Sequence, residues 1–126
     1  MTGKTKEYSS TARKLFEDLK CTEEQTLDII EQALEDITLF DKKQHDYGPQ
    51  NISKFGMLGV LVRSSDKLER LIHLHYTESD PAIDESIDET WQDLSVYGMI
   101  ARVVNNSDWF GGTETSTVET RTGGTA

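Results

Sequence analysis

The sequence has little cysteine, little proline and no long apolar run. Among 126 residues, one is cysteine and two are proline. Because Cys21 cannot form an internal disulfide on its own, we expect a protein of a reducing cytoplasm. No apolar run approaches the roughly 20 residues that a membrane-spanning helix needs. Residues 1–10 also lack the apolar stretch of a signal peptide. These absences predict a cytoplasmic protein with no membrane partner.

Basic side chains are also scarce. The chain has 23 acidic and 13 basic residues, for a formal net charge of −10. Duplex nucleic acid is bound largely by neutralising its phosphates, and the basic residues here do not cluster, so we expect no duplex nucleic-acid partner. An acidic surface suits divalent cations. The same excess would also serve simply to keep a protein soluble.

No segment shows the sustained period-two alternation of a strand. Apolar residues instead recur every three or four positions, as Leu27, Ile30 and Leu34 do. We predict four helices over about 10–20, 22–43, 58–76 and 84–105, the second opened by a capping box of Thr22 and Gln25. The segment 45–51, with its Gly-Pro pair, should break the pattern.

These elements predict an all-α protein built as a four-helix bundle. The length fits one domain, which we place at 9–106. Residues 1–8 are expected to be a disordered start. Residues 107–126 are rich in glycine and threonine, have little to bury, and are expected to form a disordered tail.

The last predicted helix carries an acidic stripe that becomes apolar further along. A fully solvated face should not change in this way, so Glu85 and Asp88 are expected to point inward. Buried carboxylates need partners, and a divalent cation with oxygen ligands supplies one. The apolar continuation of this stripe is Val96, Met99, Ile100 and Val103. A second buried face is predicted at Ile83, Ile87, Trp91, Leu94 and Gly98.

The preceding helix carries a second acidic pair, Asp66 and Glu69, which share one face because they are three residues apart. Spacing alone says little in so acidic a chain, since Asp28 and Glu31 are spaced identically. The acids could equally be solvated and paired with nearby bases. If they instead serve phosphate chemistry, the candidate phosphate-binding residues are Lys42, Lys43, Arg63, Lys67 and Arg70.

This order of acidic pairs resembles the all-α nucleotide pyrophosphohydrolases of the MazG and dimeric dUTPase-like group. Their signature is E-x-x-E, a loop, and E-x-x-D. Here Asp66 replaces the leading Glu of the first pair, and Glu85/Asp88 matches the second. Over residues 38–105 the sequence is closest to a phage-associated branch, the nucleotide-modification-associated domain family. The matching segments are 43–48, Asn51, 55–56, 63–71, 84–94 and Tyr97.

The resemblance implies a Mg²⁺-dependent hydrolase, with Mn²⁺ as a possible substitute, that converts a nucleoside triphosphate to a monophosphate and pyrophosphate in phage nucleotide metabolism. It implies a MazG-like bundle completed by self-association as a dimer or tetramer. The implied metal ligands are Asp66, Glu69, Glu85 and Asp88, with Glu69 as the catalytic residue that orients water. Arg63, Lys67, Arg70 and Lys43 would contact phosphate, and Tyr47 and Asn51 the base.

Two other functions compete with hydrolysis. One is a nucleotide-binding protein of the same fold that captures or senses its ligand without cleaving it. The other is a small helical assembly protein whose acids are all solvated. The sequence lacks both the G-x-x-x-x-G-K-[ST] and the G-x-G-x-x-G loops. Nucleotide phosphates would therefore have to be held by metal and basic side chains.

Overall fold

A computed structural model describes residues 7–83 and 85–106, and all regular secondary structure in these ranges is helical. The prediction of an all-α protein is confirmed for this part of the chain. None of its helices is long and apolar enough to cross a membrane. The predicted tail, 107–126, and most of the predicted disordered start lie outside the described residues. The described helices are α1 (Ser10–Asp18), α2 (Gln25–Tyr47), α3 (Gln50–Ser53), α4 (Gly56–Thr77) and α5 (Ile87–Asn106).

The ends of α2 differ from the prediction. The helix begins at Gln25, and the Thr22 hydroxyl donates to Glu23 Oε2 at 3.0 Å, so the predicted capping box is wrong. The helix then continues past the predicted end to Tyr47. It ends at Gly48, whose φ of +81° lies in the left-handed region that glycine adopts readily. The short α3, which follows this turn, was not predicted.

The chain divides into two compact units, Met1–Asp41 and Lys42–Ala126. In the first unit, the Ser9 hydroxyl caps α1 by accepting from the Ala12 N–H at 3.1 Å. Ser9 also donates to Glu31 through its N–H at 2.6 Å and its hydroxyl at 3.0 Å. The Tyr8 hydroxyl donates to Asp28 Oδ1 at 2.9 Å, so this residue of the predicted disordered start is ordered. The Asp28/Glu31 pair therefore joins α1 to α2.

In the second unit, α5 begins with a capping box. The Ser86 hydroxyl accepts from the Glu89 N–H at 3.0 Å, and Glu89 Oε1 accepts from the Ser86 N–H at 2.8 Å. Glu89 is thus a capping residue at the start of the helix. Helices α4 and α5 then pack against each other, and α3 packs on α4. The buried apolar side chains of this unit are Ile52, Val60, Leu71, Val96 and Ile100.

Helix α5 is rotated relative to the prediction. Trp91 is 56% exposed and Ile87 is 42% exposed, so the face assigned to them is not the buried one. Gly98 is exposed and Leu94 half-buried. Thr90 is completely buried in their place. The apolar continuation of the acidic stripe is only partly correct, because Val96 and Ile100 are buried while Met99 and Val103 are exposed. The physical reason is the polar pairing between α4 and α5 described next.

Candidate functional site

A group of charged and polar side chains connects α4 with α5 and reaches the end of α2. Lys67 and Arg70 stand three residues apart on α4 and therefore share a face. The acidic partners come from α5 and from the segment just before it. We call this group the interhelical charge cluster, and its members are Lys43, Lys67, Arg70, Glu85, Thr90 and Asp93.

Lys67 joins the two acids of the cluster. Its Nζ lies 3.1 Å from Glu85 Oε2 and 2.9 Å from Asp93 Oδ2. Asp93 in turn contacts a second ammonium through its other oxygen, Oδ1, which lies 3.0 Å from Lys43 Nζ. The side chains of Lys67, Glu85 and Asp93 are 22%, 24% and 13% exposed. These are therefore half-buried ion pairs, which solvent screens less than surface pairs.

Thr90 and Arg70 fix the position of Glu85. The buried Thr90 hydroxyl donates to Glu85 Oε2 at 2.7 Å and accepts from Arg70 Nη1. Arg70 Nη2 donates to the backbone carbonyl oxygen of Glu85 at 2.6 Å. The guanidinium therefore holds both the main chain and, through Thr90, the carboxylate of Glu85. Such shared hydrogen bonds offset the cost of removing these groups from water.

The cluster shifts the pKa values of its members. The hydrogen bond from Thr90 lowers the pKa of Glu85, and Lys67 adds to this effect against the opposing effect of burial. Burial alone would raise the pKa of Asp93, but hydrogen bonds from Lys67 and Lys43 outweigh it and lower this pKa. Burial would likewise lower the pKa of Lys67, yet the two carboxylates raise it. All three groups are thus stabilised in their charged forms.

The structure brings together some of the residues predicted to form the site and separates others. Glu85, Lys43, Lys67 and Arg70 meet in the cluster. Asp66, Glu69 and Asp88 are exposed. Residues 7–83 and 85–106 contain no group of three or more Asp, Glu, His or Cys side chains placed to hold a metal ion. The proposed set of four carboxylates therefore does not converge, because α4 turns Lys67 toward α5 and leaves its acidic neighbours in solvent.

Two members of the cluster, Thr90 and Asp93, were missed as site residues. They stand three residues apart on α5, as Lys67 and Arg70 do on α4. These two pairs of polar residues, with the same spacing on consecutive helices, were the pattern from which Thr90 and Asp93 could have been predicted. That pattern was hidden by the neighbouring Glu85/Asp88 pair, which has the same spacing.

The other predicted site residues lie away from the cluster contacts. Tyr47 is 69% exposed at the end of α2, and Asn51 is half-buried in α3. Arg63 is half-buried and lines a cavity of about 330 Å³ at the start of α4. The cavity is lined by Phe55, Leu58, Gly59, Val62 and Arg63.

Three comparisons with known proteins found no match: no family model, no curated protein and no solved structure matches this chain. The resemblance to nucleotide pyrophosphohydrolases therefore stays a prediction from the sequence.

The carboxylates of the cluster can be compared with the ligands that Mg²⁺ usually takes in proteins. Proteins usually bind this ion through one or two carboxylates together with substrate phosphates. Glu85 and Asp93 both approach one cationic point, the Lys67 ammonium. This arrangement accommodates a magnesium ion only if Lys67 turns from the two carboxylates to the phosphates that arrive with the ion. It does not fit a cage of four protein carboxylates.

The lowered pKa values predict how stability depends on pH. An acid with a lowered pKa stabilises the fold above its unfolded pKa, and this stabilisation is lost as pH falls through the folded value. The ordinary values are 4.5 for Glu85 and 3.8 for Asp93. The melting temperature should therefore fall steeply below about pH 4.5. Lys67 stays protonated throughout this acidic range, so the stability is lost through protonation of its two carboxylate partners.

Glu85→Gln should flatten this acidic limb in thermal unfolding followed between pH 3 and 7. At pH 7 it should cost about 1–3 kcal/mol, because Lys67 and Arg70 lose a charged partner. Asp88→Asn, on the exposed side of α5, is the control and should keep the acidic limb of the wild type. An unchanged acidic limb in Glu85→Gln would contradict the assigned role of the cluster.

Proposed function

We propose that this protein is a Mg²⁺-dependent nucleoside triphosphate pyrophosphohydrolase, which forms a monophosphate and pyrophosphate. The observation that supports it best is the Lys67 ammonium held between Glu85 and Asp93, with Arg70 one turn further along α4. Phosphate chemistry needs cations and carboxylates side by side in such a half-buried place. The sequence resemblance supplies the reaction class and the setting, phage nucleotide metabolism in a bacterial cytoplasm.

Each member of the cluster has a role in this proposal. Lys67 and Arg70 donate to phosphate oxygens, and the planar guanidinium can donate two parallel hydrogen bonds. Lys43, whose side chain is 50% exposed, contacts the outermost phosphate. Glu85 and Asp93 would hold the magnesium ion, while Thr90 keeps Glu85 oriented. When bound, Mg²⁺ neutralises charge on the phosphates and activates a water molecule.

The role of Glu69 stays a prediction. This residue is exposed on α4, two positions after Lys67. Of the carboxylates predicted from the sequence, Asp66 and Asp88 share this exposure. They serve in the proposal only if a bound ligand or a second copy of the chain draws them toward the cluster.

The test is a panel of nucleoside triphosphates with Mg²⁺, analysed for pyrophosphate and monophosphate. Asp93→Asn should lower kcat/KM by about 100-fold, because it removes a proposed metal ligand. Asp88→Asn makes the same change on the exposed side of α5 and should stay close to wild type.

The opposite result, with turnover lost in Asp88→Asn and kept in Asp93→Asn, would contradict this geometry and support the metal set predicted from the sequence. Absence of products with every nucleotide, from protein that unfolds cooperatively, would overturn hydrolysis altogether.

A second candidate is nucleotide binding without hydrolysis. The observation that favours it is the neutralisation of Glu85 by Lys67 and Arg70, together with the lack of a third carboxylate in the described part of the cluster. Such a site can hold phosphates without a complete metal site. This candidate predicts that a nucleotide raises the melting temperature while the same panel yields no product.

Self-association is also part of the proposal, and exposed apolar side chains on α4 support it. These side chains recur at spacings of three, four and seven residues and so form a stripe along the helix. Monomeric proteins rarely expose large contiguous apolar patches, so we assign this surface to a second copy of the chain. The stripe consists of Leu58, Leu61, Leu68, Ile72 and Tyr76, and Leu58 at its end also borders the cavity at the start of α4.

Sedimentation equilibrium tests this assignment. Leu61→Asp should shift the protein toward monomer, because it places a charge in the middle of the stripe. His73→Asp, an exposed position beside the stripe on the same helix, should leave the association constant unchanged. A wild-type chain that is monomeric at every concentration would rule out the proposed assembly.

A further inference from the structure

The cavity at the start of α4 has an aromatic wall. Phe55, the residue that precedes the helix, is 57% exposed and lines the cavity with Leu58 and Val62. Gly59 allows this arrangement, because a Cβ at position 59 would lie 2.4 Å from the Phe55 Cβ. A side chain at position 59 would therefore push Phe55 away. The result is an open apolar depression of about 330 Å³ with a phenyl ring at its edge.

Two cations adjoin this apolar surface. Arg63 lines the cavity, and its guanidinium forms no hydrogen bond or ion pair with any residue in 7–83 or 85–106. The Lys54 ammonium lies 5.7 Å from the centre of the Phe55 ring. Cations beside an apolar cavity are notable in a chain with a net charge of −10. They suit a flat aromatic ligand that presents hydrogen-bond acceptors and carries negative charge.

The cavity and the interhelical charge cluster lie along the same helix. Arg63 precedes Lys67 by four residues, so these two side chains are neighbours one turn apart. From Gly59 to Lys67 the helix rises about 12 Å, at 1.5 Å per residue. An extended nucleoside triphosphate spans such a length between its base and its terminal phosphate.

We infer that this cavity binds the base of the nucleotide, with Phe55 stacking on the ring and Arg63 donating to acceptor atoms of the base. The inference rests on the proposed function, in which Lys67 and Arg70 hold the phosphates. It places base recognition at the start of α4. Tyr47 and Asn51, predicted for this role from the sequence, do not line the cavity.

The experiment compares two ligands by titration calorimetry in the presence of Mg²⁺: a nucleoside triphosphate and inorganic triphosphate. Phe55→Leu keeps an apolar side chain but removes the ring. It should weaken nucleotide binding about tenfold, the usual effect of losing one base–aromatic stack. Binding of inorganic triphosphate should not change. Trp91→Leu removes an exposed aromatic ring on α5, outside both the cavity and the apolar stripe, and should leave both affinities unchanged.

Two further variants separate the base site from the phosphate site. Arg63→Met should weaken only the nucleotide, whereas Lys67→Met should weaken both ligands. If Phe55→Leu and Arg63→Met bind the nucleotide as the wild type does, the base site is overturned while the proposed function stands. If wild-type protein binds neither ligand, both are overturned.

Discussion

The ion pairs of Lys67 with Glu85 and Asp93 determine how α4 and α5 meet. A half-buried ammonium needs partners, because an unpaired charge that is removed from water is costly. Lys67 finds one carboxylate just before α5 and another two turns into it. Satisfying both contacts sets the rotation of α5. The completely buried side chain on this helix is accordingly Thr90 and not the large Trp91.

The same contacts give the cluster its local charge. Lys43, Lys67 and Arg70 face Glu85 and Asp93, so one positive charge remains in a chain whose net charge is −10. The paired carboxylates hold these cations in position, and in the proposed function the cations turn to the phosphate groups when the ligand binds. Because their pKa values are lowered despite partial burial, Glu85 and Asp93 stay ionised at neutral pH and into the acidic range. In the proposed function, this cluster receives the phosphates of a nucleotide and the magnesium ion that comes with them.

Much of the fold could be predicted from apolar spacing, because long amphipathic helices produce a strong periodic signal. The ends of the helices could not, since Gly48 stopped α2 later than the polar residues before it suggested. The short α3 left no periodic signal at all. The buried face of α5 could not be predicted either. This helix carries apolar residues on several sides, and only the contacts with α4 decide which side is buried.

The candidate site shows the same limit. Lys67, Arg70 and Glu85 were each named as site residues from the sequence, and they lie together in the structure. Asp88 was predicted from its spacing to Glu85 and Asp93 was not predicted, but the structure exposes Asp88 and pairs Asp93 with Lys67. Spacing within one helix cannot settle such a choice. It depends on charges of the neighbouring helix.

The contact between Lys67 and Asp93 is tested most directly by a double-mutant cycle of Lys67→Met and Asp93→Asn, in which the free energy of unfolding is measured at pH 7. Groups that share one hydrogen-bonded network show coupling energies of about 0.5–3 kcal/mol. We expect a coupling of at least about 1 kcal/mol between these two positions, since the paired charges are half-buried. Single-mutant effects that add without coupling would mean that this contact does not hold α4 and α5 together, and would contradict the account.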